Sequence, residues 1–259
     1  MPPYYKLLSM KHASALFVAI CFCSLIQAQQ KISLGIKGGI NIPGLGINSS
    51  DPVVSGYKTI LSPYYGAVLE CGLNKRWSIT EELNYSNTTI TKNGDQVIPQ
   101  SAFLTYNITN PSNQTLYADF YSKIQIKYLE APIMLKYYIY QKNKINFFVN
   151  GGVYGGILLY GHVSPSGFSR VWTDEAHTKP FTQFGIAFNT PQNIIDWLNP
   201  VDFGLQEGAG FTYKSDFGEF FAQLSTTQGL TKIQGNPGDG DNNTKSLTLA
   251  VGYLFHVSK

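Results

Sequence analysis

The feature that most constrains this chain is a two-residue alternation of apolar with small or polar side chains. Ile32, Leu34, Ile36 and Ile40 alternate with Ser33, Lys37, Gly39 and Asn41. Near the other end, Leu247, Leu249, Val251, Tyr253 and Phe255 alternate with Thr248, Ala250 and Gly252. Successive side chains of a strand point to opposite faces, so each segment presents one apolar face and one polar or small face. Segments near 61–73, 76–90, 121–139, 145–160, 201–213 and 217–231 behave alike, which gives eight strands.

The connections narrow the fold further. Asn74-Lys75, Gln141 to Lys144 and Lys214 to Asp216 are short turns, whereas 43–60, 91–120, 161–200 and 232–243 are long and polar. Short and long connections therefore alternate, as in transmembrane barrels with short periplasmic turns and long outer loops. Each strand reaches the ~9–11 residues that a tilted spanning strand needs. A bilayer also forces closure, because a sheet edge would leave backbone groups unpaired in hydrocarbon. The expected fold is all-β: a closed antiparallel transmembrane β-barrel of eight strands. Phe181 to Phe188 also alternates, as a hairpin above the membrane or as two further strands that would make ten. Tyr64-Tyr65, Trp77, Tyr85, Tyr137-Tyr138, Tyr160, Tyr213 and Tyr253-Leu254-Phe255 fall near strand ends, where amphipathic rings meet the headgroups.

The start of the chain reads as an export signal. Lys6 and Lys11 precede an apolar run from Ala13 to Ile26, and Ala28 supplies the small residue at the cleavage edge. The expected division is a signal over 1–28 and a barrel domain over 29–259. Removing Lys6 and Lys11 takes Lys+Arg from 19 to 17, against 16 acids. Such near-neutrality argues against nucleic acid or any other polyanion as a partner. Cys71 is then the one remaining cysteine, so no internal disulfide can form. Charged residues are only 14% of the chain, well below the roughly 25% of soluble domains. Outer-membrane lipid is the expected surrounding.

An eight-stranded barrel has an interior just wide enough for side chains. Lys37, Glu70, Glu82, Glu130, Lys136 and Glu219 are the expected inward charges, with Gln206 and Gln223 beside them. Gly35, Gly39, Gly66, Gly72, Gly152, Gly156, Gly204, Gly208 and Gly210 share their phase and would make room for them. Structural filling is the expected role; an ion or proton path is the alternative. Glu81 and Glu207 fall in the apolar phase, which calls for a local bulge or a position close to a rim.

Several segments resemble the PorT-like outer-membrane β-barrel family. They are Gly35 to Asn41, Trp77 to Ser86, Tyr128 to Tyr137, Asp202 to Leu205 with Gly208-Ala209-Gly210, and Val251 to Phe255. The resemblance runs over 31–256 and departs from the family at Glu81, where proline is frequent, and at His256 to Lys259, which extend past the usual aromatic terminus. It implies a Gram-negative outer-membrane barrel and supplies no catalytic motif. The family's named member belongs to an outer-membrane protein-export machinery, a role that the resemblance does not carry to this chain.

No H-E-x-x-H, C-x-x-C, G-x-S-x-G or P-loop pattern occurs, so no catalytic residue, cofactor or metal site is expected. His162-Val163-Ser164 with Glu175 resembles the His/Ser/Glu arrangement of outer-membrane lipid A deacylases, but reads as part of a long polar loop. Gly235 to Asn243 is oxygen-rich yet lacks EF-hand spacing, and reads as a turn-rich loop. Pro191 to Pro200 reads as a short apolar helix, lying on the membrane, binding a partner, or folded over the barrel rim. The leading function is a structural or binding role, with the outer loops contacting an extracellular or envelope protein. A small porin-like channel or a component of a secretion or envelope assembly is the second reading. A lipid A-modifying enzyme is the third.

Overall fold

A computed structural model describes residues 31–44, 56–110, 112, 114–236, 239 and 242–257. The expected signal segment lies outside the described residues. Eight strands form the fold: β1 (Ile32–Pro43), β2 (Ser62–Gly72), β3 (Trp77–Val97), β4 (Tyr117–Lys142), β5 (Ile145–Ser166), β6 (Val201–Lys214), β7 (Gly218–Lys232) and β8 (Asn243–His256). Each pairs antiparallel with its neighbours in sequence, and β1 pairs with β8 from Ser33↔His256 to Pro43↔Ser246. The sheet is therefore a closed ring of eight, with no edge to expose to lipid. The strand at Phe168–Ser169 pairs only with Ile186–Ala187, outside the ring, so the ten-strand alternative does not hold.

The three short turns lie at the end where β1 begins and β8 finishes. Asn74 Oδ1 accepts from the Arg76 and Trp77 amides at 2.8 and 3.0 Å. Asn143 takes a φ of 54°, a left-handed conformation that asparagine tolerates well in a tight hairpin. Ser215 N–H and hydroxyl both donate to the Gly218 carbonyl.

The outer face of the ring carries the apolar phase: Leu34, Ile36, Leu83, Ile133, Leu135, Phe203 and Leu249 are all exposed. Near the short turns, rings run in contact around the wall. Trp77 meets Tyr137, Phe147 meets both Tyr140 and Phe211, and Tyr253 meets both Phe220 and Phe255, at centroid separations of 4.6–6.2 Å. Toward the other end, Tyr65 stacks on Tyr85 at 4.8 Å. Trp77 and Tyr85 are eight residues apart on β3. At ~3.3 Å per residue and ~40° of tilt this separates the two belts by about 20 Å, close to the ~25 Å apolar band of outer-membrane barrels. Two expected belt residues point elsewhere: Tyr64 is 4% exposed inside the ring, and Tyr138 reaches in to Glu70. Each is the inward neighbour of an outward tyrosine, so only one of each pair can meet lipid.

The inward glycines do more than clear volume. A Cβ on Gly39 would stand 2.0 Å from the Leu249 carbonyl oxygen, and one on Gly152 2.0 Å from that of Ile133. A ring this narrow bends its strands so sharply that the adjacent backbone occupies the space a side chain would need.

Three strands outgrow the ring. β3, β4 and β5 have 21, 26 and 22 residues and continue as a three-stranded flap beyond the outer mouth. Residues 91–97, 117–120 and 161–166, expected as loop, belong to it. Lys58–Ile60 and Gln192–Asn193 add short pairings to its two sides.

Candidate functional site

Four of the expected lumen residues, Lys37, Glu70, Glu82 and Lys136, sit in two ionic layers. Lys136 Nζ lies 2.8 Å from Glu70 Oε2, and Glu70 Oε1 also accepts from the Ser78 hydroxyl at 2.8 Å and the Tyr138 hydroxyl at 2.7 Å. Farther in, Lys37 Nζ lies 2.5 Å from Glu82 Oε2, which accepts from Asn84 Nδ2 at 2.9 Å. The ammonium groups also lie over rings: Lys136 is 4.1 Å from the Phe148 centroid and Lys37 5.1 Å from that of Tyr64. Glu130 is buried opposite Asn84. Glu219 lines a vestibule of about 840 Å³ at the short-turn end, with Lys214, Ser215 and His256. Met134, Phe148 and Tyr154, each 1% exposed, also fill the bore.

Asp202 closes the lumen on the outer side; from the sequence it stood only in a family-like segment, not among the expected lumen charges. Its Oδ2 accepts from the Tyr154 and Thr244 hydroxyls at 2.9 and 2.5 Å, and its Oδ1 from Thr231 at 2.6 Å. These partners come from β5, β8 and β7, so one carboxylate ties four strands together. Only the inward phase of Asp202 was readable in advance; its partners lie 29 to 48 residues away.

Above this latch the flap encloses a chamber of about 130 Å³. Ile90, Ile126 and Tyr128, from the inward phases of β3 and β4, pack with Ile194, Leu198 and Ile233 of the loops. Ile98, Ala102 and Phe120 lead into a second cluster with Leu116, Val171 and Phe188. The chamber lies between the two. Its polar wall groups are engaged: Ser122 donates to Gln96 Oε1, and Gln192 bonds to Tyr106 and Thr105. Burial raises the Tyr57 hydroxyl above its ordinary pKa, opposed by a hydrogen bond with Ser122, and burial likewise raises Tyr106. Both hydroxyls thus stay neutral at physiological pH, which keeps the chamber uncharged on those sides.

The sequence matches the family described as outer membrane protein beta-barrel domain over residues 27–235. The chain belongs to this family. As a member, it resides in the bacterial outer membrane, with lipid around the ring. Among solved structures it is similar to Ail of Yersinia pestis (12% identity, TM-score 0.40, 88% of this chain and 100% of that one). Neisserial surface protein A gives 10% identity and a TM-score of 0.42, over 88% and 99%. OprG of Pseudomonas aeruginosa gives 13% and 0.41, over 90% and 100%. No match was found among curated proteins by sequence.

The remaining sequence candidates sort out by position on this family member. His162 and Ser164 lie on β5, paired to Gln125 and Lys123, rather than in a loop. His162 stacks on Tyr160 at 5.8 Å. The charge of Glu175 is felt instead by Lys92 and Tyr117, farther out on the flap. Among the described residues no hydrogen bond joins His162, Ser164 and Glu175. In the oxygen-rich loop, Asp239 is buried and accepts from the Ser101 amide at 3.0 Å and from the Ser101 hydroxyl, which pins the loop over the chamber. Pro191 to Pro200 forms one 3-10 turn at Ile195–Trp197, with Ile194 and Leu198 buried over the outer mouth. It is a rim cover, one of the readings the sequence left open.

Proposed function

We propose that this protein is an outer-membrane binding protein whose outer chamber takes a small apolar molecule of about one aromatic ring. The chamber itself carries the reading: about 130 Å³ of apolar space whose polar neighbours are already hydrogen-bonded. An apolar cavity of roughly 150 Å³ stays dry and binds benzene. The extended flap and the loops after β3 and β5 form its walls and roof, so specificity resides outside the membrane, as the loop-binding expectation has it. The filled bore and the Asp202 latch favour this over a conducting pore. They also favour structural filling as the role of Lys37, Glu70, Glu82, Glu130, Lys136 and Glu219. The sequence order of the matching segments favours placing the chain with PorT-like barrels of Gram-negative envelopes, and the apolar run after Lys6 and Lys11 favours export by a signal over 1–28.

The test is calorimetric titration of detergent-solubilised, heat-modifiable protein with toluene and indole. Binding is expected at a Kd between roughly 1 μM and 1 mM, and Ala102→Phe, which fills the chamber, should remove it. Equal heats for both proteins, or none for either, would reject the chamber as a site.

A further inference from the structure

Glu207 contradicts both explanations its sequence position allowed. The register runs unbroken past it, Gln206↔Thr227, Glu207↔Thr226 and Gly208↔Ser225 on one side, and Gln206↔Gly152, Glu207↔Gly151 and Gly208↔Asn150 on the other. There is no bulge, and the residue stands midway along β6 rather than at a rim. Its side chain is exposed on the outer face between Leu205 and Ala209, in the middle of the lipid-facing wall.

A carboxyl group here is costly, and acyl chains offer it no hydrogen-bond donor. A donor at this depth must come from protein. Thr226 and Gln228 share the outer face beside it; Gln228 Nε2 donates to the Gly229 carbonyl at 3.1 Å and keeps a second N–H. The wall is recessed next to these groups. A Cβ on Gly151 would meet only the Gln206 carbonyl oxygen at 3.9 Å, and a notch of about 420 Å³ opens there.

We infer that this face is an interface between two copies of the chain within the membrane. The patch is self-complementary: it holds an acceptor and donors side by side, as a two-fold interface requires. Across such an axis, Glu207 of each copy accepts from Thr226 and Gln228 of the other. The glycine notch receives an apolar side chain of the second copy. Close approach at small residues together with polar pairing is how membrane segments associate where the hydrophobic effect gives no drive.

The test uses full-length protein in intact outer membranes, with Cys71 replaced by alanine. Thr226→Cys should be joined into a covalent dimer by a short bis-maleimide that spans the diagonal between the two Thr226 positions. In detergent, sedimentation equilibrium should give a dimer for the native chain. Glu207→Leu should weaken it by roughly tenfold or more while leaving heat-modifiability intact. Three results would each overturn the second copy as occupant. One is a native chain that sediments as a monomer, with no cross-link in the Thr226→Cys variant. Another is a Glu207→Leu dimer of native strength. The third is cross-linking only to a different membrane protein.

Discussion

Replacing Lys37 by methionine removes the cation from a pair whose side chains are 1% and 2% exposed. Glu82 would keep only the Asn84 amide at 2.9 Å and would lose a contact too short for water to have shared. Removing one member of a buried pair typically costs about 3–5 kcal/mol, because the survivor is left charged and uncompensated. Lys37 also loses its position over the Tyr64 ring at 5.1 Å, worth about 1 kcal/mol more. Replacing both members should behave differently. Apolar side chains of similar size in place of a buried pair are often neutral or stabilising by about 1–4 kcal/mol. Lys37→Met/Glu82→Met should therefore recover most of what Lys37→Met loses. The assay is urea unfolding from lipid vesicles, followed by tryptophan emission and by the mobility shift of unboiled protein. A Lys37→Met cost below about 1 kcal/mol, with no coupling between the two substitutions, would refute a filled, water-poor lumen.

Other substitutions probe other parts of the molecule. Gly152→Val should prevent ring closure, read as loss of the heat-modifiable band, because its Cβ would overlap the Ile133 carbonyl. Asp202→Ala should cost about 3 kcal/mol or more by leaving the Tyr154, Thr231 and Thr244 hydroxyls without their acceptor, and should raise hydrogen exchange at the outer ends of β6 to β8. Ile126→Ala should enlarge the chamber at a cost of about 2–5 kcal/mol and shift the preferred ligand toward a larger ring, seen by competition calorimetry.

The lipid-facing ring was legible because hydrocarbon and a narrow bore impose opposite demands on alternate residues. Lys37, Glu82, Glu70 and Lys136 could be assigned to the inside from phase alone. Their pairing could not, since Lys37 and Glu82 are 45 positions apart and phase says nothing about height in the bore. The flap escaped notice because both of its faces lie outside the membrane. Residues 88–97 carry threonines, Lys92 and an Asn93-Gly94 turn signal, yet Gly94 simply adopts a φ of 100° within continuous pairing. The chamber was invisible for the same reason. Its lining comes from the flap, from loops 98–108 and 191–198, and from Ile233, Gln234, Asp239 and Asn242, which are far apart in sequence. Glu207 shows the reverse case: its phase was read correctly, and an unbroken register carries it to the lipid-facing wall without a bulge.

The most direct test of the central claim is a crystal of the outer-membrane protein soaked in bromobenzene and measured at the bromine edge. The predicted result is an anomalous peak in the outer chamber, between Ile98 and Leu198 and above the Asp202 latch. An empty chamber, with bromine found only along the lipid-facing wall or in the bore, would contradict it.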